Sequence, residues 1–456
     1  MTIKLKKKRC RQTPSKILSI LGISIALLIT AACSSSERAV SSDMEGEGSS
    51  SEKKYDFELP QYIPSSLVDM EGYETGSDKI VIFRNAKEGD SFEIRSAVDD
   101  KTVFTGKIRR FGNSQDGTGQ FSAFQTEGEY YSYYEKSGES YTFKIDSEIN
   151  ELSFSNAIDV MFAKDFISNA EESICSLNEI LFSYEVNEAA YKGLLNNVNK
   201  NLSRDILKSV SEKINAMISA QESSGGVMSL NSEDGHLSTS LDATIAFAEL
   251  MARYAGIMEN IDKGLSDKAY FSAEKAWKYY SSQKSTSKSD RAFAAAAQLY
   301  RISGEKKYEI VLSNFFDRED FEKLFLESDS IFYGSIAYLN TSKPVNINVC
   351  NNIMDLLLKN AESIAKSSSR NVYRVSSFDI SELLANMIRL STANYFIYNH
   401  EYKSIAEDHI HYLLGRNKDA LNLVQLSDSK AGTENEEAVY ASMRNTARYI
   451  LLLAAV

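Results

Sequence analysis

The period of the hydrophobic pattern changes once, near Asn150, and that change restricts the chain to two unlike parts. Up to Asp146 the apolar residues come in short runs: KIVIF (79–83), SFEIRSAV (91–98), TVFTGKI (102–108), GEYYSYYE (128–135) and SYTFKI (140–145). These runs are rich in β-branched and aromatic residues and are separated by Gly, Asp, Asn and Ser at turn spacing. Several short strands at that interval predict a small immunoglobulin-like β-sandwich over residues 55–146.

After residue 150 the period is 3.6 and stays there. In HLSTSLDATIAFAELMARYAGI (236–257) the residues Leu241, Ile245, Ala248, Met251 and Ala255 share one stripe. Residues 266–282, 289–303, 346–365, 381–398 and 435–455 read the same way, with Ser266, Ser289 and Ser381 as expected caps. The pattern predicts roughly ten to twelve helices over 150–456, joined by short connections. The whole chain has only four prolines, so few can interrupt them. That many paired, alanine-rich helices fit a toroid of helical hairpins or a bundle, and periodicity does not separate the two.

The amino end predicts export. Lys4, Lys6, Lys7, Lys8, Arg9, Arg11 and Lys16 form a basic head without acids, an apolar run follows over 17–29, and Ala31 and Ala32 lead into Cys33. A run of about 13 residues has the length of a signal-peptide core and is short for a bilayer span. The pattern resembles a bacterial lipoprotein signal, with residues 1–32 removed and lipid on Cys33. The departure is Thr30, where leucine is usual; an ordinary signal peptide or an uncleaved anchor are the alternatives. Residues 33–54 are serine-rich and acidic, a flexible tether with a root-mean-square reach of about 25 Å. The expected location is a bacterial membrane, held by lipid at the cell surface or in the periplasm.

Charge excludes one class of partner. Loss of residues 1–32 removes seven basic side chains and no acid, leaving 44 Lys and Arg against 63 Asp and Glu, a net −19. Such a chain repels nucleic acid and anionic lipid. Beyond Cys10 and Cys33 only Cys175 and Cys350 remain, too few for a disulfide framework, and they are expected as free thiols. His236, His400, His409 and His411 are too scattered for a metal site, and no cofactor motif is present. His409 and His411, two apart, face different sides of a helix.

Six segments then point to a family. LDATIAFAELMARYA (241–255), AEKAWKYY (273–280), AFAAAAQLYRISGEKKY (292–308), HIHYLLGRN (409–417) and NEEAV (435–439) resemble, in order, stretches of the family 9 glycoside hydrolases. LVDMEGYETGSDKIVIF (67–83) and the strands after it are similar to the immunoglobulin-like module that often precedes that catalytic domain. The resemblance implies a contracted (α/α)6-type helical barrel behind the sandwich, and a cellulase-like enzyme that hydrolyses β-glucan with inversion.

Inversion needs a protonated carboxyl on one side of the glycosidic bond and an ionised one on the other, about 6.5–9.5 Å apart. By resemblance Glu436 in NEEAV is the candidate general acid, flanked by Glu434 and Glu437, like charges that would help to raise its pKa. The competing reading is that this acidic cluster merely opens the last helix. The family's DAGD loop, which carries the base, has no counterpart over 154–222, so the base is unassigned. The histidine-arginine sugar clamp after the HIHYLLGRN segment is also missing. Asp317 and Asp320 read as solvated helix ends, Asp242 as a cap, and Trp277 as core. The expectation is a β-glucan-directed relative with impaired or lost catalysis; the alternative is a non-catalytic surface lipoprotein that binds glycan or protein.

Overall fold

The computed structural model describes residues 63–166, 170–196, 205–230, 236–283, 289–425 and 438–456. The signal segment, Cys33 and the tether lie outside the described residues, as do Glu434, Glu436 and Glu437.

The first part is a sandwich of β1 (Ser66–Leu67), β2 (Gly72–Tyr73), β3 (Ile80–Phe83), β4 (Ser91–Ser96), β5 (Thr102–Arg110), β6 (Gly117–Gln120), β7 (Gly128–Tyr134), β8 (Gly138–Glu139) and β9 (Phe143–Ile145). One sheet runs β1-β3-β6-β5, the other β4-β7-β9-β2, and long β5 pairs with both β6 and β4. Alternation aims Phe83, Phe92, Ile94, Phe121 and Phe143 inward, where Phe83 and Phe92 lie 5.2 Å apart.

The second part opens with α1 (Ile149–Ala163), α2 (Ala170–Val186), α3 (Glu188–Asn196) and α4 (Ile206–Ala220), then a hairpin of β10 (Val227–Leu230) and β11 (Leu237–Ser240). There follow α5 (Leu241–Met258), α6 (Lys263–Ser281), α7 (Asp290–Ser303), α8 (Lys306–Phe316), α9 (Phe321–Glu327), α10 (Asp329–Leu339), α11 (Ile347–Ser368), α12 (Ile380–Phe396), α13 (His400–Leu413) and α14 (Met443–Ala454). Helices α2, α5, α7, α10, α12 and α14 form the inner ring, and α14 packs on α2 to close it. The alanines 292–297 of α7 are all buried, which lets its neighbours approach closely. At one such approach a Cβ on Gly334 of α10 would meet the Phe293 ring of α7 at 2.6 Å.

Several expectations change in detail. The hairpin 227–240 interrupts the helical period, and α5 starts at Leu241 with Ser240 as its cap. Ser266 lies inside α6, which Asp262 caps; Ser381 lies inside α12, which Asp379 caps; Ser289 precedes α7 without a side-chain cap bond. The last helix begins at Met443 rather than at Asn435, capped by Ser442. Fourteen α-helices stand among the described residues, more than periodicity alone counts, because α3, α9 and the capped breaks are short. Cys175 and Cys350 are free and half-buried.

The HIHYLLGRN segment (409–417) joins the two parts. Residues 61–456 form one compact unit, and this segment is its seam. Met70 N donates to Leu414 O at 2.9 Å, and Gly415 takes φ +130°, where a Cβ would strike Met70 Cγ at 2.5 Å. His411 Nδ1 lies 2.8 Å from Asp69 Oδ2, and Asn422 donates to Glu71. His409 points elsewhere and accepts from Ser376 N at 2.9 Å through Nε2. The segment thus docks the sandwich on the barrel.

Candidate functional site: the mouth of the helical barrel

The first turns of the six inner helices meet at one end of the ring. The contacts there are direct. Arg291 of α7 pairs with Glu171 of α2 and reaches Asp242 O of α5; Met443 N of α14 donates to Glu172 Oε1 of α2; Ser381 of α12 bonds Asn445 of α14. Six parallel helix dipoles make this end positive, which favours acids in the first turns. Glu171, Glu172, Asp242, Asp290, Asp329 and Glu382 supply them.

Below the mouth the axis of the ring is filled with charge. Arg444 sends Nε to Glu179 Oε1 at 3.1 Å and Nη2 to Asp329 Oδ2 at 2.9 Å. Arg448, one turn on, binds the same two carboxylates, and Tyr333 donates to Glu179 at 3.3 Å. Arg389 donates to Phe325 O at 2.8 Å and approaches Asp329. Deeper, Glu249 accepts from Asn178, Asn178 accepts from Arg253, and Glu185 holds both Arg253 and Arg301. Buried ions are tolerated only when paired this closely.

Electrostatics decide what these groups can do. Burial works to raise the Asp329 pKa, but the charges of Arg448, Arg444 and Arg389 overcome it and hold it below the usual carboxylate value. Asp329 is therefore an ion and no proton donor at neutral pH. Burial raises the Glu249 pKa against the pull of Arg253. A polar recess of about 30 Å³ lies between Cys175, Glu179, Glu249, Asp329, Tyr333 and Arg444, room for roughly one water molecule.

Beside it is a larger cavity of about 470 Å³, walled by Phe166, Ile174, Met217, Val227, Met228, Leu237 and Phe247, with Lys164, Asp165 and Lys213 as its polar members. The rings that line it are Phe166 and Phe247, and Tyr333 belongs to the recess. Asp165 is the one carboxylate lining this cavity among the described residues. Its neighbour Lys164 donates to Tyr440 O, which ties the end of α1 to a residue four positions after Glu436 in the sequence. Sequence reasoning missed Asp165 because it stands alone, without the glycine and second aspartate of the family loop. It missed Glu179 and Asp329 because their partners come from distant helices.

The other candidates fall where the sequence placed them or beyond reach. Asp317 ends α8 and Asp320 begins α9, both beside Arg318. Trp277 packs against Tyr308 at 5.3 Å.

Comparison with known proteins adds the lineage. Residues 64–148 match the cellulase N-terminal ig-like domain. Residues 221–425 match glycosyl hydrolase family 9. The chain is cellulase-like in sequence. Similar solved structures include a metagenome-derived glycoside hydrolase family 9 endoglucanase, at 15% identity and TM-score 0.70 over 85% of this chain and 98% of the other. A thermostable endoglucanase from Alicyclobacillus acidocaldarius, a single mutant, gives 15% and 0.69 over 86% and 99%. The Bacteroides ovatus GH9 structure gives 16% and 0.65 over 86% and 98%. At these identities the likeness establishes the shared fold. No curated protein matches the sequence.

Proposed function

We propose that this chain is a lipid-anchored relative of the family 9 cellulases that binds β-glucan at the barrel mouth and hydrolyses it poorly or not at all. One observation carries the reading. The described carboxylates around the polar recess, Glu179 and Asp329 above all, are locked to Arg444 and Arg448, and the family's paired acid and base are not assembled from them. Asp329, held below the usual carboxylate value by its guanidiniums, is a weak base and no acid. The family match also stops at residue 425 and starts at 221, so it spans neither Glu436 nor Asp165. The adjoining cavity, with phenylalanine rings and a few polar groups, suits the apolar faces and hydroxyls of a glucan. Anchorage through Cys33 belongs to the same proposal and rests on the signal-like amino end.

A second reading, a working hydrolase, has support in the Lys164–Tyr440 bond. It fixes the segment of Asp165 at Tyr440, which follows Glu436 by four residues in the sequence, and an inverting mechanism would need those two carboxyls as base and acid. The deciding experiment measures cello-oligosaccharide binding by calorimetry and reducing-sugar release from soluble β-glucan, in wild type and Glu436→Gln. Binding without turnover in either protein is expected. Turnover well above background that falls about a hundredfold or more in the variant restores the hydrolase.

A further inference from the structure

A second groove lies away from the barrel mouth, at the corner where the sandwich meets the helices. Its floor is the outer face of β3, β6 and β5. In the ladder Gln120 pairs with Ile80 and Thr118 with Arg109, so these four side chains stand on one face, and Lys107 follows on the same face two residues from Arg109. Ile82, also on that face, is buried against Val372 and Ala420 of the helical part. Next to this dock the face opens into a cavity of about 580 Å³, closed on the far side by Arg374.

The cavity inverts the charge of the protein. Lys107, Arg109 and Arg374 line it against one acid, Asp78, in a chain whose net charge is −12. Two of the cations are held in place: Lys107 donates to Ser91 Oγ at 2.8 Å, and Arg374 pairs through Nε with the buried Asp408 at 2.8 Å. Arg374 takes φ +59°, a strained position that fixes its side chain's departure from the loop. Arg109 has no ion-pair partner among the described residues. Asp78 is engaged by the hydroxyls of Ser122 and Ser404. Thr118, Gln120 and the edge of the half-buried Phe104, which packs on Phe92 of the core, also line the cavity.

We propose that this corner binds an acidic glycan, a saccharide chain bearing uronic carboxylates. The guanidiniums of Arg109 and Arg374 accept a carboxylate's geometry. Thr118 and Gln120 serve sugar hydroxyls, and Phe104 offers an apolar edge to a pyranose ring. A polyanion is repelled by the rest of this surface, so binding must be local to these residues. The site is independent of the barrel mouth, and its volume is that of a short oligosaccharide rather than a single ion.

The test is calorimetry of the full chain in detergent with oligogalacturonate, at low and high sodium chloride, against Lys107→Ser/Arg109→Ser and Thr118→Glu. Wild type binds the oligouronate, affinity falls about tenfold or more between the two salt concentrations, and each variant loses about tenfold or more. Neutral cello-oligosaccharide binding stays the same in both variants, which separates this corner from the mouth. Absence of oligouronate binding by wild type overturns the proposal. So does undiminished affinity in both variants, or equal competition by polyglutamate of matched length, which would mark a ligand chosen by charge alone.

Discussion

His411 of α13 holds Asp69 of the sandwich through Nδ1 at 2.8 Å, and both side chains are buried in the seam between the two parts. Asp69 Oδ1 accepts from the backbone N–H groups of Glu71 and Gly72. Burial pushes the Asp69 pKa up to about 8 against these bonds, and burial pushes His411 down to about 3. Both groups are then uncharged at neutral pH. The folded Asp69 value lies above its unfolded value, so the stability tied to its proton is whole below about pH 4 and drains as pH rises through about 8. The His411 value is depressed, so its share is lost as pH falls from about 6.5 towards 3. Asp69→Asn copies the protonated acid. It is expected to melt with wild type near pH 4 or below and a few degrees above it near pH 9. A variant that melts below wild type at pH 9 means that the pair is ionic instead.

The ionic axis of the barrel makes a stability prediction. Arg448→Met leaves Glu179 with one guanidinium where it had two and Asp329 with two where it had three, and the cost is about 3–5 kcal/mol by urea unfolding. Adding Glu179→Leu recovers part of that loss, since an apolar pair of similar volume needs no compensation. A single-variant cost below about 1 kcal/mol means that water reaches this network and screens it.

Much of the fold is legible because burial imposes its period on the residues. The alternation in SFEIRS gives β4 with Phe92 and Ile94 inside, and the stripe in α5 gives a helix buried on nearly every side. Strand β6 is not legible. GTGQ has no β signal, and its glycines are there because a Cβ on Gly117 would meet Ile108 at 2.6 Å and one on Gly119 would meet Phe92 at 2.5 Å. The hairpin 227–240 hides in serine for want of any apolar alternation. The charged axis left one trace: Glu179 sits between Leu177 and Ile180 in a run that otherwise reads as core. Its partners are 265 and 269 residues away, and no local pattern carries that information.

Two glycines in the inner ring give opposite expectations. A Cβ on Gly334 meets Phe293 Cε1 at 2.6 Å and the Ala294 backbone at 3.0 Å, contacts that only a shift between α10 and α7 can relieve. Gly334→Ala is expected to cost about 1–3 kcal/mol. In α5 the nearest atom to a Cβ on Gly256 is Ile302 Cγ1 at 4.0 Å, so Gly256→Ala gains about 0.5–1 kcal/mol of helix propensity. Equal effects of the two substitutions in thermal or urea unfolding contradict the close approach of α10 to α7.

Asp165 offers the sharpest test of what the mouth does. It lines the 470 Å³ cavity beside Phe166, and Lys164 fastens its segment to Tyr440 at the foot of α14. In a binding protein its carboxylate accepts sugar hydroxyls. Asp165→Asn keeps the shape but exchanges a charged acceptor for a neutral amide, so affinity for cello-oligosaccharides falls about three- to tenfold, the range of one charge-assisted hydrogen bond partly replaced. Reducing-sugar release stays at background in both proteins. In a hydrolase the same change removes the group that takes a proton from water, and turnover falls about 10²–10⁴-fold while affinity moves little. The two outcomes differ in which quantity changes, binding or rate. Measuring both on wild type, Asp165→Asn and Glu436→Gln separates a glucan-binding surface protein from an inverting enzyme.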